Sequence, residues 1–272
     1  MPSATEQKPS VLIDLFNRKK AELTEIKGKF PLQELKQKLA EREALGEIVV
    51  RDFTQALTAD NPSLIAEIKK ASPSAGDINE EVDIEMQAKL YEKGGANAIS
   101  VLTEKSKFKG DIGFINRVKK ATKDTPVLRK DFIFDPYQIY ESKYYGADAV
   151  LLITTMLDEG ELNKLVDLTH ELGMECLVEI HTVKDLTKAL QAKAQIIGIN
   201  ARNLHTFGIS LDVVVDLAAA VPEDKILIAE SGIKSAADVK MLHEAGVQGI
   251  LVGTTLMESN NVAGKIRELK LL

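Results

Sequence analysis

The chain predicts an α/β fold, a (β/α)8 TIM barrel with an N-terminal helical extension, and three observations carry that reading. Eight short apolar runs alternate with eight amphipathic helical patterns at a spacing of roughly 25 residues. The runs are continuous rather than strictly alternating, as in strands of a parallel sheet covered on its outer face. Glycine recurs where four of the helices give way to the next strand, at Gly94-Gly95, Gly146, Gly173 and Gly246. The rival open, doubly wound sheet wants fewer strands and a Gly-x-Gly-x-x-Gly loop, which the chain does not contain.

Residues 10–51 read as helical and charged. Val11, Leu12, Leu15 and Phe16 share one helical face, and Leu32, Leu35 and Leu39 share another. Gly28-Lys29-Phe30-Pro31 separates the two helices, with Pro31 suited to open the second. The basic cluster at Lys19-Lys20 and Lys27 to Lys29 reads as a solvated helix face. Strands are then expected at 64–68, 98–102, 126–129, 149–153, 175–180, 196–199, 226–229 and 249–252. Helices are expected near 83–94, 111–122, 136–145, 159–172, 183–191, 212–220, 235–245 and 262–269. The extension would occupy about residues 1–60 and the barrel about 61–272 of one domain spanning 1–272.

Composition narrows the function class. A net charge of −6, with 44% hydrophobic and 28% charged residues, lacks the basic excess of a nucleic-acid binder. The one cysteine, Cys176, excludes an internal disulfide and any multi-cysteine metal site, and fits a reducing compartment. Residues 1–10 are polar, without a secretory apolar core, and no apolar run approaches the ~20 residues that cross a bilayer. The expectation is a cytoplasmic protein with no nucleic-acid or membrane partner, a monomer or weak homo-oligomer.

In such a barrel, chemistry sits at the carboxyl ends of the strands. The first strand ends in Glu67 and Lys69, which project from one face because side chains alternate. Burying either one unpaired is costly, so each needs the other or a ligand. Lys130 ends the third strand, Glu179 the fifth, and Asn200 and Arg202 follow the sixth. Glu230, Ser231 and Gly232 end the seventh; Gly253 and Thr254 end the eighth. Three glutamates (67, 179, 230) thus face Lys69, Lys130 and Arg202, a near-neutral ring in which a lysine could act as general acid and a glutamate as base. The plainer alternative is a structural ring of ion pairs at the barrel rim. Gly232 and Gly253, with the hydroxyls of Ser231, Thr254 or Ser72, suit a phosphate at the last two loops; ordinary tight turns are the alternative. His170, His181, His205 and His243 lack metal-site spacing, so no metal is expected. His181 takes no assignment, Cys176 reads as core, and Tyr140, Tyr144 and Tyr145 read as packing.

Seven stretches, each at an expected strand end, carry a resemblance. They are Ile65-Ala66-Glu67-Ile68-Lys69-Lys70-Ala71-Ser72-Pro73-Ser74, Ile99-Ser100-Val101-Leu102-Thr103, Val127-Leu128-Arg129-Lys130-Asp131-Phe132-Ile133, Leu177-Val178-Glu179-Ile180-His181, Gly198-Ile199-Asn200-Ala201-Arg202-Asn203-Leu204, Ala229-Glu230-Ser231-Gly232-Ile233 and Leu251-Val252-Gly253. In this order they resemble the indole-3-glycerol-phosphate synthase family, over the whole length and including the two leading helices. The resemblance implies conversion of 1-(2-carboxyphenylamino)-1-deoxyribulose 5-phosphate to indole-3-glycerol phosphate with loss of carbon dioxide and water, without cofactor or metal. It implies that Lys69 and Arg202 hold the substrate carboxylate while Asn200 orients it, and that Lys130 donates a proton to the ketone oxygen. Glu179, with Glu67 or Lys69, would serve the dehydration. It further implies that the leading helices cover the mouth, through the Val11–Phe16 and Leu32–Leu39 faces, with Phe108 and Phe132 against the anthranilate ring. Departures from the family pattern are Ala201, Gly208, Thr254-Thr255 and Val82-Asp83-Ile84; none removes a proposed catalytic group. A different phosphate-binding barrel enzyme, such as a sugar-phosphate isomerase, and a non-catalytic barrel that binds a phosphorylated metabolite remain the alternatives.

Overall fold

In the computed structural model, residues 11–60, 62–72, 76–77, 81–204 and 206–272 are described. Three helices lead the chain: α1 (Val11–Lys29), α2 (Leu32–Ala44) and α3 (Phe53–Thr58). Eight parallel strands follow: β1 (Ser63–Ile68), β2 (Ala98–Leu102), β3 (Val127–Lys130), β4 (Ala149–Ile153), β5 (Glu175–Ile180), β6 (Ile196–Asn200), β7 (Ile226–Glu230) and β8 (Gly249–Val252). They close into a barrel in sequential order, β1 pairing with both β2 and β8. The crossover helices are α4 (Ile84–Gly94), α5 (Gly113–Ala121), α6 (Pro136–Tyr145), α7 (Glu159–Glu171), α8 (Val183–Gln191), α9 (Asp212–Ala218) and α10 (Ala236–Glu244). A short α11 (Thr254–Met257) precedes the final α12 (Val262–Leu269).

Every expected strand is present, with boundaries one residue different at β1, β3, β6 and β7. The differences matter: Lys130, Asn200 and Glu230 are the last residues of their strands, held by the sheet rather than carried on loops. Elements with no counterpart in the sequence reading are α3, α11, a 3-10 turn at Thr154–Met156 and a two-residue hairpin, Ala71–Ser72 with Gly76–Asp77. Each is too short to show a hydrophobic period. Gly95 and Gly146 end α4 and α6 in the left-handed region, at φ 92° and 91°, as their positions predict.

Period-two alternation sorts the strands into two cores. Leu64, Ala66, Ile99, Val101, Val150, Leu152 and Val178 face the helices. Ile65, Leu128, Leu151, Leu177, Ile196, Ile228 and Leu251 fill the barrel, joined by Phe53 and Leu57 of α3. Because both faces are buried, the strands read as unbroken apolar runs. Glu67, Lys130, Glu179 and Glu230 continue the inner rows one step further toward the carboxyl end.

At the opposite end a polar plug joins the extension to the barrel. Asp148, whose side chain is inaccessible to solvent, accepts from Arg51 N at 2.6 Å, Val127 N at 2.7 Å and Lys119 Nζ at 2.6 Å. The Arg51 guanidinium reaches the Thr125 carbonyl at 2.7 Å and the Thr122 carbonyl at 2.7 Å.

Two expectations about the extension are corrected. Lys19 does not lie on a solvated face: it is 5% exposed and sits 2.9 Å from Asp131 Oδ2. Lys27 pairs with Asp135, while Lys20 and Lys29 are exposed as expected. The apolar face of α2 does not cover the mouth either. Leu35 packs with Leu23 of α1 and Tyr137 of α6, with Tyr140 and Tyr144 alongside, because α2 lies against the outer helical ring. Leu15 of α1 does reach the mouth, and Phe16 packs on Phe134 with ring centroids 4.7 Å apart. The side chains of Val11 and Leu12 lie outside the described residues.

Candidate active site

The carboxyl ends of the strands surround a cavity of about 760 Å³, large enough for a drug-sized ligand. Glu67, Lys69, Lys130, Glu179, Asn200, Arg202, Glu230, Ser231, Gly232, Gly253, Thr254, Phe108 and Phe132 all line it. Ser72 belongs to the short hairpin, and its side chain lies outside the described residues, as do Pro73, Ser74 and His205. Among the described residues no group of three His, Cys, Asp or Glu is placed to hold a metal ion.

A lysine held between two glutamates forms the floor. Lys130 Nζ lies 3.1 Å from Glu230 Oε2 and 3.5 Å from Glu179 Oε2. Burial works against the Lys130 charge, but Glu230, Glu179 and Glu67 together outweigh it and raise its proton affinity well above the ordinary lysine value. The two carboxyls are pushed in opposite directions. Burial raises Glu230 to about 7, with Lys130 opposing and the Glu179 charge adding to the rise. Burial also acts on Glu179, but Lys130, His181 and a hydrogen bond from Asn200 outweigh it and hold that carboxyl below its usual range. One site thus contains a carboxylate that stays ionised, an ammonium, and a carboxyl able to exchange a proton near neutrality.

The first strand supplies the second charge pair, Lys69 Nζ to Glu67 Oε1 at 2.9 Å. Gly253 leaves room for this pair. A Cβ there would collide with Glu67 Oε1 and lie 2.8 Å from Lys69 Nζ. Arg202 follows β6, its backbone N–H donating to Asn200 Oδ1 at 3.0 Å. Burial lowers its proton affinity, and the Glu67 charge opposes that change. Ala201 between them turns outward into the helix-facing core, as alternation requires.

The loops after β7 and β8 are joined by Thr255 Oγ1, which donates to the Ile233 carbonyl at 2.7 Å. Ser231 and Gly232 are both left-handed, at φ 69° and 81°; for serine this is a strained conformation. Gly253 precedes α11, whose first amides have no acceptor within the helix. Ser231, Gly232, Gly253 and Thr254, from these two joined loops, all line the cavity.

Three participants take no role from the sequence. Gly198, opposite Glu179 in the β5–β6 register, leaves the space that Glu230 occupies: a Cβ there would overlap Glu230 Oε1. Its signal was a glycine inside a strand. Glu104, almost fully buried, accepts from Ser106 N at 2.8 Å, Lys107 N at 2.8 Å and Phe108 N at 3.1 Å, and so fixes the loop that carries Phe108. His181, left unassigned, places Nε2 3.4 Å from Glu179 Oε1.

Comparison with known proteins agrees with this geometry. The family model described as Indole-3-glycerol phosphate synthase matches residues 12–269. A protein of that name from Acetivibrio thermocellus is 42% identical over 261 residues, covering 96% of this chain and 99% of its own length. Another, from Caldanaerobacter subterraneus subsp. tengcongensis, is 44% identical over 258 residues, covering 95% and 96%. The crystal structure of 3-hexulose-6-phosphate synthase from Salmonella typhimurium shares the fold alone, with a TM-score of 0.62 at 16% identity over 77% of this chain and 97% of that one. A match running almost end to end, through extension and barrel alike, makes this chain a member of the indole-3-glycerol phosphate synthase family.

Proposed function

We propose that this cavity converts 1-(2-carboxyphenylamino)-1-deoxyribulose 5-phosphate to indole-3-glycerol phosphate, the activity of the family, in tryptophan biosynthesis. The observation that carries the reading is the Lys130 ammonium held between Glu179 and Glu230 on the cavity floor. The substrate phosphate would lie at the last two loops, where Ser231, Gly232, Gly253 and Thr254 line the cavity and offer amides and hydroxyls. The substrate carboxylate would lie between Lys69 and Arg202, with Asn200 orienting it, and Glu67 keeping Lys69 in place. Phe108 and Phe132, with Leu15, offer an apolar wall to the anthranilate ring.

Ring closure forms a bond between the carboxyl-bearing ring carbon and the ketone carbon. Lys130 supplies the proton that turns the ketone oxygen into a hydroxyl. Carbon dioxide then leaves the ring carbon and aromaticity returns. In the last step the hydroxyl departs as water, which requires one proton delivered and one removed. Glu179, held ionised, would be the base, and Lys69 would deliver the proton. Glu230 balances the Lys130 charge. The lone buried cysteine supports a cytoplasmic location. Among the described residues no helix is long and apolar enough to cross a membrane.

The test is to add the substrate to the purified chain and follow indole fluorescence between pH 6 and 9; silence across that range would sink the reading. Lys130→Met and Glu179→Gln are each expected to cut turnover by about 10²–10⁴-fold while substrate affinity stays within a few-fold. A loss appearing mainly as weaker binding would reassign both residues.

A further inference from the structure

The Lys19 ammonium is buried on a helix that could have covered the barrel with apolar contacts alone. Its Nζ lies 2.9 Å from Asp131 Oδ2, whose side chain is wholly inaccessible to solvent. The same oxygen accepts from Thr103 Oγ1 at 2.6 Å and from Arg129 at 3.1 Å, while Oδ1 accepts from the Phe132 backbone at 2.9 Å. Arg129, fully buried, continues to Glu141 of α6 at 2.9 Å. Burial opposes the Asp131 charge, but Lys19 and Arg129 outweigh it and hold its carboxyl below the usual range. Asp131 stands between Lys130 and Phe132, and Leu15, one turn before Lys19 on the same face of α1, lines the cavity with Phe132.

A second pin, Lys27 to Asp135, fastens the other end of α1 to the N-cap of α6, and its side chains are 38% and 27% exposed. An exposed pair suffices for tethering, so the buried one has a further consequence. We propose that Lys19 is a positioning residue for the reaction: through Asp131 it locks α1 to the end of β3, so that Leu15 and Phe132 form one fixed wall against the aromatic half of the substrate. The inference rests on the activity proposed above. It makes α1 part of the binding site rather than a cover over it. Uniform binding energy is what such a wall contributes, so its loss appears in KM rather than in kcat.

The experiment uses the full chain with Lys19→Met, Lys19→Arg, Lys27→Met, Leu15→Ala and the Lys19→Met/Leu15→Ala double variant. Product fluorescence gives kcat and KM, and hydrogen exchange follows the amides of α1. Lys19→Met is expected to raise KM about tenfold with kcat within about threefold, and Lys19→Arg to recover most of the loss. Lys27→Met is expected to leave both constants within about twofold, and the double variant to be little worse than either single one, because the two residues act as a unit. In Lys19→Met the α1 amides are expected to exchange about tenfold faster, with those of α4 unchanged. An unchanged KM in Lys19→Met, additive effects in the double variant, or an equal KM rise in Lys27→Met overturns the proposal. If Lys19→Met does not fold, Lys19→Arg and Leu15→Ala decide it: a Leu15→Ala enzyme with wild-type KM refutes the wall. A wild-type chain without turnover defeats the functional reading instead, and unchanged α1 exchange in Lys19→Met then defeats the latch separately.

Discussion

Gly198→Ala adds one methyl group to the inner wall of the barrel, against the Glu230 carboxylate. The new Cβ would overlap Glu230 Oε1 and press Leu177 Cδ1 at 3.2 Å. The carboxylate is the end of a flexible side chain, so it swings aside while the strand stays in place. Moving it from 3.1 Å to about 4 Å from Lys130 removes about 1 kcal/mol of attraction at an effective dielectric of about 20. A displacement of that size among catalytic groups typically costs about a hundredfold in rate. The backbone works the other way: alanine for glycine inside a strand gains about 0.5–1 kcal/mol, so the melting temperature is expected to stay near wild type. The assay pairs kcat from product fluorescence with a thermal melt. A variant turning over within about threefold of wild type, with unchanged melting, would refute the claim that Gly198 exists to seat Glu230.

Two further outcomes follow from the charges. Glu230 holds its proton more tightly in the folded chain, with its carboxyl at about 7. The native state therefore binds the extra proton between the ordinary carboxylate range and about 7, and stability falls as pH rises through that window. Glu230→Gln is expected to remove this loss, gaining on the order of 3 kcal/mol relative to wild type between pH 5 and pH 8; parallel melting curves at the two pH values would contradict it. At the other end of the barrel, Asp148→Ala strands Lys119 and the backbone donors of Arg51 and Val127. Denaturant unfolding is expected to show a loss of about 3 kcal/mol. Turnover well below the melting temperature is expected to hold, since this end of a barrel serves stability, and a parallel loss of kcat would argue otherwise.

The strands and long helices were readable because each is extended enough to show a period, and the inner charges were readable because period two fixes which residues share a face. Contacts between distant parts of the chain were not. Lys19 looks solvated in a helix rich in lysine; only the closed barrel reveals Asp131 as its partner. The face of α2 was apolar as read, yet nothing local says whether such a face meets a cavity mouth or the flank of α6. Gly253 has neighbours the sequence does not show, since Glu67 and Lys69 reach it only when β8 closes on β1. Gly198 and Glu104 take no role from the sequence because their partners, a carboxylate from β7 and the amides of a loop, are invisible until the strands are assembled.

The left-handed backbone at Ser231 has a consequence for anyone who would make this protein hardier. A scan for strained non-glycine residues would single out Ser231→Gly, which relieves about 1 kcal/mol of backbone strain at no steric cost. The same exchange deletes a hydroxyl from the corner proposed to receive the phosphate, beside the Thr255 link to Ile233. Heat tolerance and substrate grip are thus set against each other in one side chain. Selection for durability alone would drift toward glycine there, and a serine that persists under such selection marks a demand for binding.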